Sequence, residues 1–287
     1  MPKLKESARI DRYFFLELHQ PSMAASLLFT LLAAALYLVS ASWILLHLAR
    51  KAPAKHNLVR LLGLGALLAH GLALFGHLGL PNNLHLGFIE AASLANWLIC
   101  AFILAASLRH PTLNLAALLF PLAAILLLIT QFTLSTGLPL NARKGLFFHI
   151  VASLSAYSLF ALASVQGVLF AIQNRQLKHR KVSGLLSVLP PLQTMERLLF
   201  ELLLAGQLLL TLGILSGFIF LDNMFAAGML HKTLLSLAAW LTFGLLLFGR
   251  WRFGWRGLTA VRWTLGGSLL LLLAYFGSKF VLQFILA

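Results

Sequence analysis

Long apolar runs separated by short polar segments make up almost the whole chain. A helix of about 20 mostly apolar residues is long enough to cross the hydrocarbon core of a bilayer. Eight runs meet this requirement, and the connections between them are too short to form a separate domain. We therefore predict an all-α fold, a polytopic membrane helix bundle of about eight transmembrane helices. The predicted spans are residues 24–48, 58–78, 86–108, 113–132, 146–172, 198–220, 231–249 and 263–286.

The composition supports a membrane protein. Hydrophobic residues make up 60% of the 287 positions and charged residues only 10%, whereas soluble domains carry about a quarter charged residues. The net charge of +15 would suggest nucleic-acid binding in a soluble protein. Here the basic residues cluster between apolar runs, so we predict membrane lipids and no nucleic acid as partners. The single cysteine, Cys100, carries no disulfide or metal-site signal.

The basic residues also predict an orientation. Of the 22 lysines and arginines, 14 fall in one set of alternate connections and four in the opposite set. Short connections rich in lysine and arginine stay in the cytoplasm. We therefore expect a multi-pass protein of a bacterial inner membrane with both termini on the periplasmic side. The 14 are Arg50, Lys51, Lys55, Arg60, Arg109, Arg175, Lys178, Arg180, Lys181, Arg197, Arg250, Arg252, Arg256 and Arg262, and the four are Arg143, Lys144, Lys232 and Lys279.

Residues 1–23 fit this orientation poorly, because their four basic residues would have to cross the membrane. If translation starts at Met23, the conflict disappears. If it does not, the segment is expected to lie as an interfacial helix. We accordingly divide the chain into an N-terminal extension, 1–23, and a single transmembrane domain, 24–287. The apolar run 24–48 is too long for the core of a cleaved signal peptide.

Ionisable and polar side chains inside the spans are the candidates for function, because they are costly in hydrocarbon. His70 lies within the second predicted span and His149 at the outer start of the fifth. Neutral imidazole is a good ligand for haem iron, although a hydrogen bond to a neighbouring helix would satisfy His70 equally well. The remaining candidates are Glu90, Gln131, Glu201, His231 and Lys232.

No signature of a soluble enzyme fits the chain, which lacks a nucleophile elbow, a phosphate loop and a His-Glu-x-x-His motif. We therefore expect a protein that is not an enzyme. A transporter usually needs buried carboxylates near the middle of the bilayer. Glu90 and Glu201 lie near opposite interfaces of the membrane rather than near its middle, which makes transport the weaker interpretation.

Four segments in the second half of the chain form an ordered set. They are HIVASLSAY from His149, LPPLQTME from Leu189, LTLGILSG from Leu210, and HKTLLS from His231 followed by Trp240; GWRG from Gly254 and AYFGSKF from Ala274 complete the set. This set resembles the YpjD/HemX-type branch of the cytochrome c assembly (CcsA/CcmC-like) membrane superfamily. The resemblance covers about 145–285 well, and the first half more loosely through His70 and residues 86–97.

The resemblance implies a haem cofactor. Full haem-handling members of the superfamily present haem on a tryptophan-rich outer loop, flank it with two outer histidines and keep two more histidines inside helices. His149 stands at the position of the first outer histidine, and His70 at that of the first embedded one. The resemblance thus implies His149 and His70 as haem ligands and a link to cytochrome c maturation or control of the haem pathway. It also implies other proteins of those pathways as partners.

The chain departs from the haem-transfer pattern in three places. The outer loop 221–230 contains no tryptophan, Phe248 occupies the position of the second embedded histidine, and no histidine follows His231. The resemblance still implies two roles: haem binding, or regulation of a partner or enzyme without haem transfer. The alternative from another class is a non-haem membrane accessory subunit or small transporter. A haem absorption band that requires His149 would separate the two interpretations.

Overall fold

A computed structural model describes residues 23–49, 51–78, 84–133, 139–140, 144–179, 189–220 and 230–277. Within these ranges the chain forms eight helices, which confirms the predicted fold. The helices are α1 (Met23–Leu48), α2 (His56–His77), α3 (Phe88–Ala106), α4 (Leu113–Phe132), α5 (Lys144–Lys178), α6 (Leu192–Phe220), α7 (Leu230–Phe253) and α8 (Leu258–Leu272), which continues as a π-helical turn over Leu273–Gly277. A two-residue antiparallel pair joins β1 (Leu84–His85) to β2 (Pro139–Leu140). The predicted N-terminal extension lies outside the described residues except for Met23.

All eight helices are long and apolar enough to cross a membrane. Large apolar side chains lie exposed along their outer faces: Leu61 is 67% exposed, Leu68 69% and Ile219 72%. Such a surface would be unstable in water but suits contact with lipid tails. The chain is therefore a membrane-embedded helical protein.

Three helix boundaries differ from the predicted spans by five or six residues. Helix α5 continues to Lys178 instead of ending at 172, and α6 begins at Leu192 instead of 198. The amides of Thr194 and Met195 bond to the carbonyl of Pro191, so the proline starts α6 rather than interrupting the connection. Helix α8 begins at Leu258 instead of 263. Hydropathy marks only the segment within lipid, while the backbone hydrogen bonds continue into polar turns.

Helices α5 and α6 form the closest pair of the bundle. A Cβ atom added to Gly213 would lie 2.8 Å from the Oγ atom of Ser153, and one added to Gly206 would lie 3.0 Å from the ring of Phe160. Glycine at these positions lets the two backbones approach each other. The ring of Phe160 in turn stacks on Phe243 of α7 with centroids 3.7 Å apart.

One end of the bundle holds most of the described cations, and we call it the basic end. The turn between α7 and α8 closes there with Gly257, whose φ is +60°. The amide of Gly257 donates to the Oε1 atom of Glu196 at 2.9 Å. The guanidinium groups of Arg250 and Arg256 lie 3.6 and 3.9 Å from the same carboxylate. Glu196 therefore ties the start of α6 to the α7–α8 turn.

Candidate functional site

A cavity of about 300 Å³ lies between α5, α6, α7 and the end of α8, at the end of the bundle opposite the basic end. Its lining residues recur every three or four positions, so each helix presents a single face. Leucine and isoleucine side chains make up much of the wall. The polar lining residues are His149, Ser153, Tyr157, Lys232, Thr233, Ser236 and Tyr275.

His149 lies half-buried in the wall that α5 contributes. Its Nδ1 atom is 2.8 Å from the carbonyl oxygen of Gly213 and 3.2 Å from the Oγ atom of Ser216, both on α6. A carbonyl oxygen can only accept, so Nδ1 carries the proton. The neutral ring then keeps a lone pair on Nε2, to which no described residue hydrogen-bonds. Histidines that bind metals typically donate their second ring nitrogen to a carbonyl in this way.

His70 has different surroundings and does not line the cavity. It is completely buried, with Nδ1 3.4 Å from the hydroxyl of Tyr37 on α1 and Nε2 3.2 Å from that of Ser93 on α3. Both ring nitrogens therefore have partners on neighbouring helices. This is the arrangement expected of an interhelical hydrogen bond. The structure does not bring His70 and His149 together at the cavity.

Two other polar candidates have partners within the bundle. The Oε1 atom of Gln131 accepts hydrogen bonds from Ser26 and Thr30 of α1, each at 3.1 Å. Glu201 lies at the basic end, where its carboxylate is 2.8 Å from the Nε2 atom of His110 and 2.8 Å from the Nε atom of Arg197. Both side chains connect helices or turns, and neither lines the cavity.

The last three candidates, Glu90, His231 and Lys232, differ in burial. Glu90 is 4% exposed in the first turn of α3 and does not line the cavity, and His231 is exposed. Lys232 does line it. Phe248, at the position of a missing histidine, is 50% exposed on the surface of α7. Of the candidates predicted from the sequence, His149 and Lys232 line the cavity.

Sequence reasoning assigned no role to two tyrosines of the cavity. Tyr157 of α5 and Tyr275 after α8 lie with their ring centroids 5.9 Å apart. The hydroxyl of Tyr157 also lies near the side chain of Ser236 of α7. Both tyrosines fall in segments that carry the family resemblance, which was the available signal. Their proximity depends on the packing of α5 against the end of α8, which no sequence spacing reveals.

Eight apolar helices and a cavity near one end of the bundle define a polytopic membrane protein with a site large enough for a small ligand. The family model described as Cytochrome C assembly protein matches residues 58–286. The chain therefore belongs to the cytochrome c assembly protein family, in its YpjD/HemX-type branch, as the sequence resemblance predicted.

Three relatives show how far the similarity extends. The chain is 31% identical to the inner membrane protein YpjD of Escherichia coli K12 over 261 residues, which cover 90% of this chain and 98% of that protein. It is 34% identical over 210 residues to a 28.8 kDa protein of Azospirillum brasilense, covering 68% and 76% of the two chains. It is 28% identical over 134 residues to the protein HemX of Brevibacillus brevis, covering 46% and 49%. No solved structure matches the chain.

Proposed function

We propose that this protein binds haem in the inner membrane and acts in cytochrome c maturation or in control of the haem pathway, without being an enzyme. The observation that carries the proposal is His149, whose Nδ1 atom is held by the Gly213 carbonyl while Nε2 keeps its lone pair at the wall of the cavity. Membership in the cytochrome c assembly family supports haem as the ligand. The match to an inner membrane protein over nearly its full length supports the location.

The residues of the cavity fit a haem group. A porphyrin is a flat apolar ring, and the apolar walls from Leu86, Ile150 and Leu237 offer it contact. His149 would bind the iron through Nε2. The bound haem would supply an iron centre that can change oxidation state or take a further ligand. Sites for small molecules occupy about 300–1,000 Å³, so the described walls would enclose part of a porphyrin.

Binding without transfer is the form of the proposal that the sequence favours. Full haem-handling members of the superfamily use more histidines and a tryptophan-rich outer loop, which this chain lacks. Phe248 cannot bind iron and lies exposed on α7. His70, although predicted as a second ligand, has both nitrogens in hydrogen bonds. We therefore propose His149 as the protein ligand and a regulatory or storage role toward partners of the haem pathway.

Absorption spectra of the purified protein test the site. Protein produced with ample haem is expected to show a Soret band, and His149→Gly is expected to lose it because the iron loses its ligand. Added imidazole should restore the band in His149→Gly, since it can occupy the vacated position. His70→Ala should keep the band. The matched control is His231→Ala, at an exposed position near the same end of the bundle.

Two results would contradict the proposal. A colourless wild-type protein, or a His149→Gly variant with an unchanged spectrum, would reject haem binding at this residue. The accessory-subunit or small-transporter interpretation would then replace it. Loss of the band in His70→Ala as well as in His149→Gly would instead restore both histidines as ligands, as the sequence predicted.

A further inference from the structure

The cavity wall contains one cationic side chain, Lys232, and no carboxylate among its described lining residues. Lys232 lies in the first turn of α7 and is half-buried. His149, the other ionisable nitrogen group of the wall, must be neutral to offer Nε2 to iron, as the proposed function requires. The other described lining residues are apolar or carry a hydroxyl group, so Lys232 is the group that gives the described wall of the cavity a charge.

No described carboxylate forms an ion pair with Lys232. Glu196 and Glu201 are bound to cations and an amide at the basic end, at the opposite end of the bundle. Glu90 is buried in the first turn of α3, within electrostatic reach of Tyr275 in the cavity wall, and forms no ion pair with any cation in the ranges that the structure describes. A partly buried ammonium beside apolar walls is costly unless an anion accompanies it. A carboxylate carried by the ligand would supply such an anion.

We infer that Lys232 binds a carboxylate of the ligand, so that the cavity selects a porphyrin with acidic side chains over its neutral ester. The inference rests on the proposed function and extends it, because it states which chemical feature of a porphyrin the cavity recognises. Lys232 enters from α7 and His149 from α5, so the two groups hold the ligand from different helices. His149 would hold the iron, and Lys232 would hold an acidic side chain of the porphyrin through a charged hydrogen bond.

Spectral titration with haem and with haem dimethyl ester tests the inference. The protein is placed in phosphatidylcholine nanodiscs, whose zwitterionic lipids supply no net negative charge. Wild-type protein is expected to bind haem about tenfold more tightly than the ester, the usual size of a hydrogen bond to a charged group. Lys232→Ala should bring the two affinities together while leaving that for the ester unchanged, and Lys232→Arg should keep most of the preference.

Matched controls separate a local from a general effect of charge. Lys178→Ala removes a lysine from the exposed end of α5, at the basic end, and should keep the wild-type preference. The titration is repeated with phosphatidylglycerol in the nanodiscs, where the preference is expected to persist. If the anionic lipid abolishes the preference, Lys232 binds a lipid headgroup and the inference is overturned.

Other outcomes are equally decisive. Equal wild-type affinities for haem and its ester, or a preference that survives in Lys232→Ala, would overturn the role of Lys232 and leave haem binding intact. A wild-type protein that binds neither porphyrin would instead reject the proposed function. If Lys232→Ala fails to insert, Lys232→Met keeps the aliphatic stem without the charge, and its affinity ratio decides the question.

Discussion

At the scale of single residues, the hydrogen-bond partners of each histidine decide what it can still bind. His149 donates from Nδ1 to the carbonyl of Gly213 and keeps Nε2 for a ligand. His70 is within hydrogen-bond distance of Tyr37 and Ser93 through both nitrogens. The two side chains have the same chemistry, but only one of them offers a lone pair to a cavity. We accordingly propose ligand binding for His149 and helix association for His70.

This assignment predicts the effect of His70→Ala on stability. The substitution removes two interhelical hydrogen bonds and leaves the hydroxyls of Tyr37 and Ser93 without their partner. Interhelical hydrogen bonds in membranes contribute modestly, and buried unpaired groups add to the cost, so we expect a loss of roughly 1–3 kcal/mol. Thermal unfolding in detergent, without added haem, measures it. His179→Ala, at the exposed end of α5, should melt like the wild type. An unchanged melting temperature for His70→Ala would refute the structural role.

At the scale of helices, the interface of α5 with α6 both packs the bundle and orients the site. The absence of a side chain at Gly213 allows α5 to approach, and its carbonyl accepts the proton of His149. Ser216, one turn further along α6, adds a second contact to the same ring. The packing of these two helices therefore sets the tautomer of the proposed haem ligand.

The same interface predicts a double effect of Gly213→Ala. The new methyl group would meet the Oγ atom of Ser153 at 2.8 Å and its Cα atom at 3.4 Å, so the helices must move apart. Overpacking of this kind costs about 1–3 kcal/mol. We expect a lower melting temperature together with weaker haem binding, because the carbonyl moves away from His149. Gly266→Ala is the matched control: nothing lies within 4 Å of its added Cβ, and alanine favours helix. Equal behaviour of the two variants would contradict the close-packed interface.

At the scale of the whole molecule, the distribution of charge predicts which end of the bundle faces the cytoplasm. The ion-pair cluster around Glu196 and the pairs of Glu201 lie at the basic end, and the cavity lies at the other. If lysine and arginine mark the cytoplasmic side, the cavity lies at the periplasmic end of the bundle. A periplasmic location would suit a partner in cytochrome c maturation.

Fusion reporters test this orientation. A reporter inserted after Arg180 should behave as cytoplasmic and one near Asn223 as periplasmic; both points lie in connections outside the described residues, on either side of α6. The opposite labelling would invert the orientation and place the cavity on the cytoplasmic side. The same label at both points would contradict α6 as a span, despite its 29 residues.

The sequence by itself determined the class of the protein and the number of its helices. Transfer of a side chain into lipid is a local property, so apolar runs report spans without any knowledge of their neighbours. Ordered motifs likewise identified the family, since they are read along the chain. Helix ends were less predictable: α5 reaches Lys178 and α6 starts at Leu192, because backbone hydrogen bonds continue where hydropathy no longer reports.

Only the tertiary structure decided which polar residues share a site. His149 and Lys232 were both visible as polar positions in apolar runs, but nothing in their spacing joined them to Tyr157 and Tyr275. Their meeting depends on how α5, α6, α7 and the end of α8 pack. The tautomer of His149 likewise depends on a carbonyl 64 residues away. Such contacts form where two helices approach each other closely. Neither helix segment, read alone, shows which residue of the other helix it will meet.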